Sequence, residues 1–289
     1  MKAATIATAA FVAAMTPALA WAGPWLHDAG NGYLELGTTF FSADDGVRDG
    51  VATGLAYRSV TVGTYAEIGL PGHLQLTLAA PWVAATHTSA SGVVYRNRSL
   101  GDTRLALDFA PTRRLPFAVG VEVKAPLYRD PFEQSSADGI DDDVFDPVKF
   151  PSVGSNGWDV TPRVQLGHSF YPVPMWTQIE LGYRVSGCQE HGSPCRDYRD
   201  GALVSGSIGG FVWRQHLALE GYAKAFVPVQ AETARTAPTE QFVYVRGKVT
   251  GGDLPGLPDL AITLGVGGIV HAVGTERGRD VSVSLSYRF

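Results

Sequence analysis

This chain reads as an all-β protein, a transmembrane antiparallel up-and-down β-barrel of about twelve strands. Three observations lead there. The last nine residues alternate strictly, and connections between alternating runs are short and long in turn. The N-terminus also carries an export signal. In the closing run, Val281, Val283, Leu285, Tyr287 and Phe289 share one face, and Ser282, Ser284, Ser286 and Arg288 share the other, because side chains alternate across the pleat. An apolar face that ends on Tyr287 and Phe289 suits lipid, leaving the serines and Arg288 to the lumen.

Lys2 precedes an apolar run from Ala3 to Met15, and Pro17-Ala-Leu-Ala-Trp-Ala22 offers small-x-small cleavage after Ala20 or Ala22. Residues 1–22 thus read as a secretory signal peptide and 23–289 as the barrel. The apolar run is too short to cross a bilayer as a helix, and no later stretch holds about 20 apolar residues. Charged residues make up 18% of the chain and mean hydropathy is +0.02, as expected where two opposite faces average out. A net charge of −5 gives no basic footprint for nucleic acid.

The expected strands run in order. The first is Gly32 to Ser42, and after the loop 43–50 the second is Leu55 to Leu70, ended by Pro71-Gly72. The third is His73 to Thr86. A polar loop, His87 to Arg98, leads to the fourth, Gly101 to Ala110, where Leu105, Leu107 and Phe109 alternate with Arg104 and Asp108. Pro111 to Pro116 turns into the fifth, Phe117 to Leu127, and a long connection spans Tyr128 to Asn156. Then come Trp158 to Ser169, Met175 to Val185, Ala202 to Trp213, Leu217 to Val229, Phe242 to Val249, Leu260 to Val270 and the closing strand. The count is even. Connections 71–72, 111–116, 170–174, 214–216 and 251–258 are short and mostly marked by Pro or Gly; the others are mostly longer and more polar. An outer-membrane barrel has short periplasmic turns and longer external loops, which puts both termini on the periplasmic side.

On this register the lumen face carries the acids Glu35, Glu67, Asp102, Asp108, Glu122, Asp159, Glu180 and Glu220. It also carries the bases Arg104, Lys124, Arg163, Arg184, Lys224, Arg246, Lys248 and Arg288. Opposite charges in a narrow, low-dielectric space should pair, since isolated buried charges are costly; Arg288 could pair with an acid such as Glu35. The network can hold the barrel and narrow it, or line a polar passage; the two roles are compatible. Tyr65, Tyr222, Phe226 and Tyr244 also point inward, to fill space or to stack on an aromatic ligand.

Cys188 and Cys195 are the only cysteines and share one external loop. In an oxidising compartment they predict a disulfide; zinc with His191 is second, because four good ligands are not in sight. The acidic run Asp138 to Asp146 reads as a solvated loop, with Ca²⁺ as the alternative. Nothing implies a cofactor. An outer-membrane lipid hydrolase would need a catalytic set on the lipid-facing rim. His87 and His271 lie near that rim with inward parity, and His168 faces outward at the opposite end. No enzyme is therefore expected.

Three segments carry a family resemblance. They are Tyr65-Ala-Glu-Ile-Gly-Leu-Pro-Gly-His-Leu-Gln-Leu-Thr-Leu-Ala-Ala-Pro-Trp-Val83, Leu100-Gly-Asp-Thr-Arg-Leu-Ala-Leu107, and Leu115-Pro-Phe-Ala-Val-Gly-Val-Glu-Val-Lys-Ala-Pro126. They resemble the outer-membrane phenol-degradation meta-pathway transporter family of Gram-negative bacteria, over roughly the first half of the chain. The chain departs from that pattern at Ala125-Pro126-Leu127-Tyr128, where the family's glycine after proline is missing. The resemblance implies porin-like passive uptake of small hydrophobic or aromatic molecules. It also implies that Phe289 is a handle for the barrel-assembly machinery. Outer-membrane lipids and lipopolysaccharide are the expected surroundings. A closed structural or surface-interaction barrel is the alternative, and a lipid hydrolase the third reading.

Overall fold

Each alternating run becomes one strand. The computed structural model describes residues 24–45, 47–48, 51–52, 54–89, 92, 94–112, 115–127, 151, 153–154, 157–188, 200–213, 216–229, 241–252, 259–273 and 275–289. The signal-peptide residues 1–22, the acidic run 138–146, His191 and Cys195 lie outside them, as does the side chain of Cys188, so the disulfide, zinc and Ca²⁺ readings fall there too.

The barrel strands are β1 (Gly32–Ala43), β2 (Ala56–Leu70), β3 (Leu74–Thr88) and β4 (Val94–Leu100 with Asp102–Phe109). Next are β5 (Phe117–Pro126), β6 (Gly157–Ser169), β7 (Met175–Cys188) and β8 (Gly201–Trp213). The last are β9 (Leu217–Pro228), β10 (Gln241–Gly251), β11 (Leu260–Val273) and β12 (Gly278–Arg288). The main sheet has 13 segments. Two of them lie in line against β3 as one strand, so the barrel has twelve. Every strand pairs antiparallel with its chain neighbours, and β12 closes on β1 from Tyr33↔Arg288 to Ala43↔Gly278. Closure reaches the last residue: Phe289 N–H donates to Gly32 O, and Gly32 N–H to Phe289 O.

The apolar side of the alternation faces out. Leu34, Leu36, Leu105, Leu107, Ile179, Leu181, Leu264, Val266, Val281 and Leu285 are all exposed. The opposite parity is buried and polar: Glu67, Gln75, Asp108, Lys124, Asp159, Gln165 and Asp280 are almost inaccessible. A soluble sheet would be the reverse. A strand of 12 residues is ~40 Å long and rises ~30 Å at the usual tilt, enough for an apolar band of ~25 Å. Phe289 stacks on Tyr287 at the short-turn end of this band.

The structure corrects the sequence reading in two places, both through an extra residue in one strand. Residues 94–98 are strand rather than loop. They pair with β3 in the register Trp82↔Leu100, whereas the lower half of β4 pairs as Ala79↔Arg104. The mismatch is a bulge at Gly101, whose N–H donates to Pro81 O. It flips parity, so Val94, Arg96, Arg98 and Leu100 face out above a lower half in which the odd residues do. A second irregularity separates Val243↔His271 from Tyr244↔Ile269. It turns His271 outward beside Val243, where strict alternation points it inward; strict counting fails wherever one residue is inserted.

A charge on the outward face should therefore harm folding far more than one on the inward face of the same strand. Val283→Lys is expected to cost about 2–4 kcal/mol near the midplane, and Ser284→Lys much less. Both are read from the urea midpoint of the folded barrel in liposomes; equal losses would mean that β12 does not face lipid.

Candidate functional site: the barrel interior

Inward parity brings charges from non-adjacent strands together in rows. The clearest row is Asp108 on β4, Gly120 on β5 and Arg163 on β6, which face one another across the sheet. Arg163 grips Asp108 with two bonds, Nε to Oδ1 at 3.0 Å and Nη2 to Oδ2 at 2.6 Å. This fork geometry is the strong form of the pair. It passes over Gly120, where a Cβ would sit 2.0 Å from Asp108 Oδ1; the missing side chain is what lets strands two apart meet. Arg163 also reaches Glu180 on β7 at 3.3 Å and Glu122 at 3.6 Å. Gln165 donates to Asp108 and Glu180.

The same arrangement recurs on the other side of the barrel. Arg246 on β10, Gly267 on β11 and Asp280 on β12 form a row, and Arg246 pairs with Asp280 over the glycine. Tyr244 donates its hydroxyl to Asp280 at 2.9 Å, and a Cβ on Gly267 would collide with that hydroxyl. Smaller pairs fill the rest: Lys124 with Asp159 at 2.6 Å and Asp102 at 3.6 Å, Arg104 with Glu122 at 3.5 Å, and Lys248 with Glu220 at 3.5 Å. No carboxylate among the described residues is within ion-pair distance of Lys224.

Aromatic rings line one sector. Tyr222 and Tyr244 meet edge to face at 6.4 Å, with Lys248 over the Tyr222 ring. Phe226 is fully buried, stacked on Phe242 and covered by the Arg184 guanidinium at 3.6 Å. Both acids expected near β1 and β2 take hydroxyls, Glu67 from Tyr65 and Glu35 from Tyr33.

Segments of chain fill parts of both ends. At the short-turn end, the residues before β1 run inside the strands. His27 bonds Glu67 on β2 at 3.0 Å, and its N–H donates to Gln75 on β3 at 2.9 Å. Trp25 and Pro24 lie against Gly167 on β6, where a Cβ would overlap the indole. The two anchor points are several strands apart, so the segment lies across the opening. At the long-loop end, Pro151 and Val153 from the β5–β6 connection turn inward. Asn97 donates to Pro151 O at 3.0 Å, and Val153 packs on Val83, Ala85 and Tyr57. His87 is buried edge-on to Tyr57.

Sequence reasoning placed the charged residues on one face but missed Asp280, Gln75, Gln165 and the glycines that let charges meet. An inward glycine in register between an acid and an arginine was the available signal; it needs the strand register to be seen. Trp25 and Val153 lay outside every alternating run and carried no such signal.

No protein-family model matches the chain, and no curated protein matches it. Among solved structures, an outer membrane channel from Pseudomonas putida F1 superposes with a TM-score of 0.67 at 10% identity, over 94% of this chain and 100% of that one. The translocator domain of the autotransporter NalP from Neisseria meningitidis gives 0.50 at 8% identity, over 100% and 97%. The likeness is one of fold, and at that level it agrees with the resemblance read from the sequence.

Arg163→Met should leave Asp108 buried and unpaired, at a cost of about 3–5 kcal/mol, whereas Asp108→Leu with Arg163→Met should recover most of the loss. Gly120→Val should be as damaging as Arg163→Met, because it drives a methyl into the pair. Urea midpoints of the wild type, Arg163→Met, Asp108→Leu and the double variant, compared as a double-mutant cycle, test the pair, with Gly120→Val measured beside them; additive single losses would show that the pair is not coupled.

Proposed function

We propose that this chain is an outer-membrane channel through which small molecules, hydrophobic or aromatic ones among them, pass without ATP or a cofactor. The observation that carries the reading is a closed twelve-stranded barrel with an apolar outer wall and an inner wall of paired charges and aromatic rings. Its fold likeness to an outer membrane channel supports it. Tyr65, Tyr222 and Tyr244 would offer ring surface to a flat solute, while Phe226, stacked on Phe242 and covered by Arg184, would fill space. Glu35, Glu67, Asp102, Asp108, Glu122, Glu180, Glu220, Arg104, Lys124, Arg163, Arg184, Lys224, Arg246 and Arg288 would form the polar lining. Residues 1–22 would direct export, a Cys188–Cys195 disulfide would pin the external loop, and Phe289 would present the C-terminus for assembly.

The segments inside both ends favour a second reading, a barrel closed to solutes whose external loops do the work. Trp25 separates the two. In a planar bilayer the folded protein should conduct weakly. Trp25→Ala should raise the conductance severalfold, with the urea midpoint little changed. Liposomes containing either protein should admit a small phenol faster than a sugar of similar mass. No conductance and no solute entry with either protein would leave the closed barrel. Release of fatty acid from phospholipid by the wild-type protein would establish a hydrolase instead.

A further inference from the structure

Among the described residues, the outward face of the twelve barrel strands carries an Asp, Glu, Lys or Arg at four positions, and all four are arginines. Arg279 is on β12, Arg58 on β2, and Arg96 and Arg98 on β4. These strands and the intervening β1 and β3 form one sector, and the arginines sit at its long-loop end. Register places them in a single row, Arg279↔Ser42↔Arg58↔Thr86↔Arg96. Directly below runs Val281↔Phe40↔Val60↔Ala84↔Arg98. Neighbouring strands are ~4.8 Å apart, so arginines two strands apart can reach one ligand from both sides.

Between them the wall is hollow. A depression of about 530 Å³ opens there, with Phe40, Ser42, Arg58, Ala84, Arg98 and Arg279 in its lining. Small side chains at Ser42 and Ala84 make the room. Among the described residues, no carboxylate pairs with Arg58, Arg96, Arg98 or Arg279. Asp280, next to Arg279 in the chain and also in the lining, pairs inward with Arg246, and Asp102 pairs inward with Lys124. Asp44, Asp45 and Glu276 belong to the connections above, and Asp45 accepts the Gly54 N–H. The bulge at Gly101 matters here, because the parity of the lower half of β4 would have put Arg96 and Arg98 inside.

A general belt of interfacial cations would ring the barrel, as long side chains reach for the head groups. This cluster occupies one sector only, and every member is arginine, the side chain that binds phosphate in a fixed fork. We infer that this sector is a binding site for the phosphorylated diglucosamine head group of lipopolysaccharide, with its acyl chains lying down the apolar wall over Phe40, Val60 and Val281. The inference rests on the outer-membrane reading, in which the long-loop end faces the external leaflet, but not on solute passage.

Native mass spectrometry of the folded barrel in detergent tests it, with bisphosphorylated lipid A, dephosphorylated lipid A and phosphatidylglycerol as probes. One bisphosphorylated lipid A should bind at least tenfold more tightly than either other lipid. Arg58→Gln with Arg98→Gln and Arg279→Gln should remove that preference, and the corresponding three lysine substitutions should retain part of it. Heat-modified gel mobility confirms that each variant is folded. Equal binding of lipid A with and without phosphate by the wild-type protein would overturn the site without any variant. Equal binding of phosphatidylglycerol would overturn the choice of ligand, and a folded glutamine variant that binds like wild type would overturn the residues. None of these readouts depends on conductance, so a non-conducting barrel leaves the site intact.

Discussion

The structure depends on the pairing of β12 with β1. In hydrocarbon no water is available for a free N–H or C=O, so a sheet that crosses a membrane must have no edge. The ladder from Tyr33↔Arg288 to Ala43↔Gly278 removes the last two edges, and the bonds between Gly32 and Phe289 carry closure to the end of the chain. Once the ring is closed, alternation has only two destinations. Leu34, Val283 and Leu285 must meet lipid, and Asp280, Ser286 and Glu67 must find their partners inside.

That enclosure sets the chemistry of the interior. Most of the charges crowded on the inner wall pair, and the cylindrical wall brings together strands that are not neighbours. Arg163 reaches Asp108 across β5, and Arg246 reaches Asp280 across β11. In both cases the middle strand supplies a glycine. The charged rows brace the wall transversely, where the backbone ladder contributes only between adjacent strands. They also leave Tyr222 and Tyr244 as the part of the lining with ring surface to offer. The chain entering at Trp25 and Val153 reduces the openings at either end.

The outer wall is less uniform than alternation implies. One inserted residue at Gly101 turns the upper half of β4 over, and with it Arg96 and Arg98. The same device turns His271 outward on β11. The residues these bulges turn outward, Arg96, Arg98 and His271, lie in the long-loop halves of their strands, where an exposed charge costs least. The barrel thus carries polar groups on both surfaces without breaking the lipid-facing belt between them.

Period-two alternation, together with the long and short connections, was enough to read twelve strands and to put eight acids and eight bases on one face; Asp280 and the outward arginines were not among them. Those features are local: a side chain's side of the pleat follows from its neighbours in the chain. Which charges meet was not local. Asp108 and Arg163 are 55 residues apart, and their contact depends on the relative register of three strands and on the empty place at Gly120. The parity of Arg96, Arg98 and His271 was hidden for a related reason, since an insertion is visible only against the strand it pairs with. Trp25 and Val153 show no periodicity at all; their burial follows from the cylinder that surrounds them, which exists only once the ring is closed.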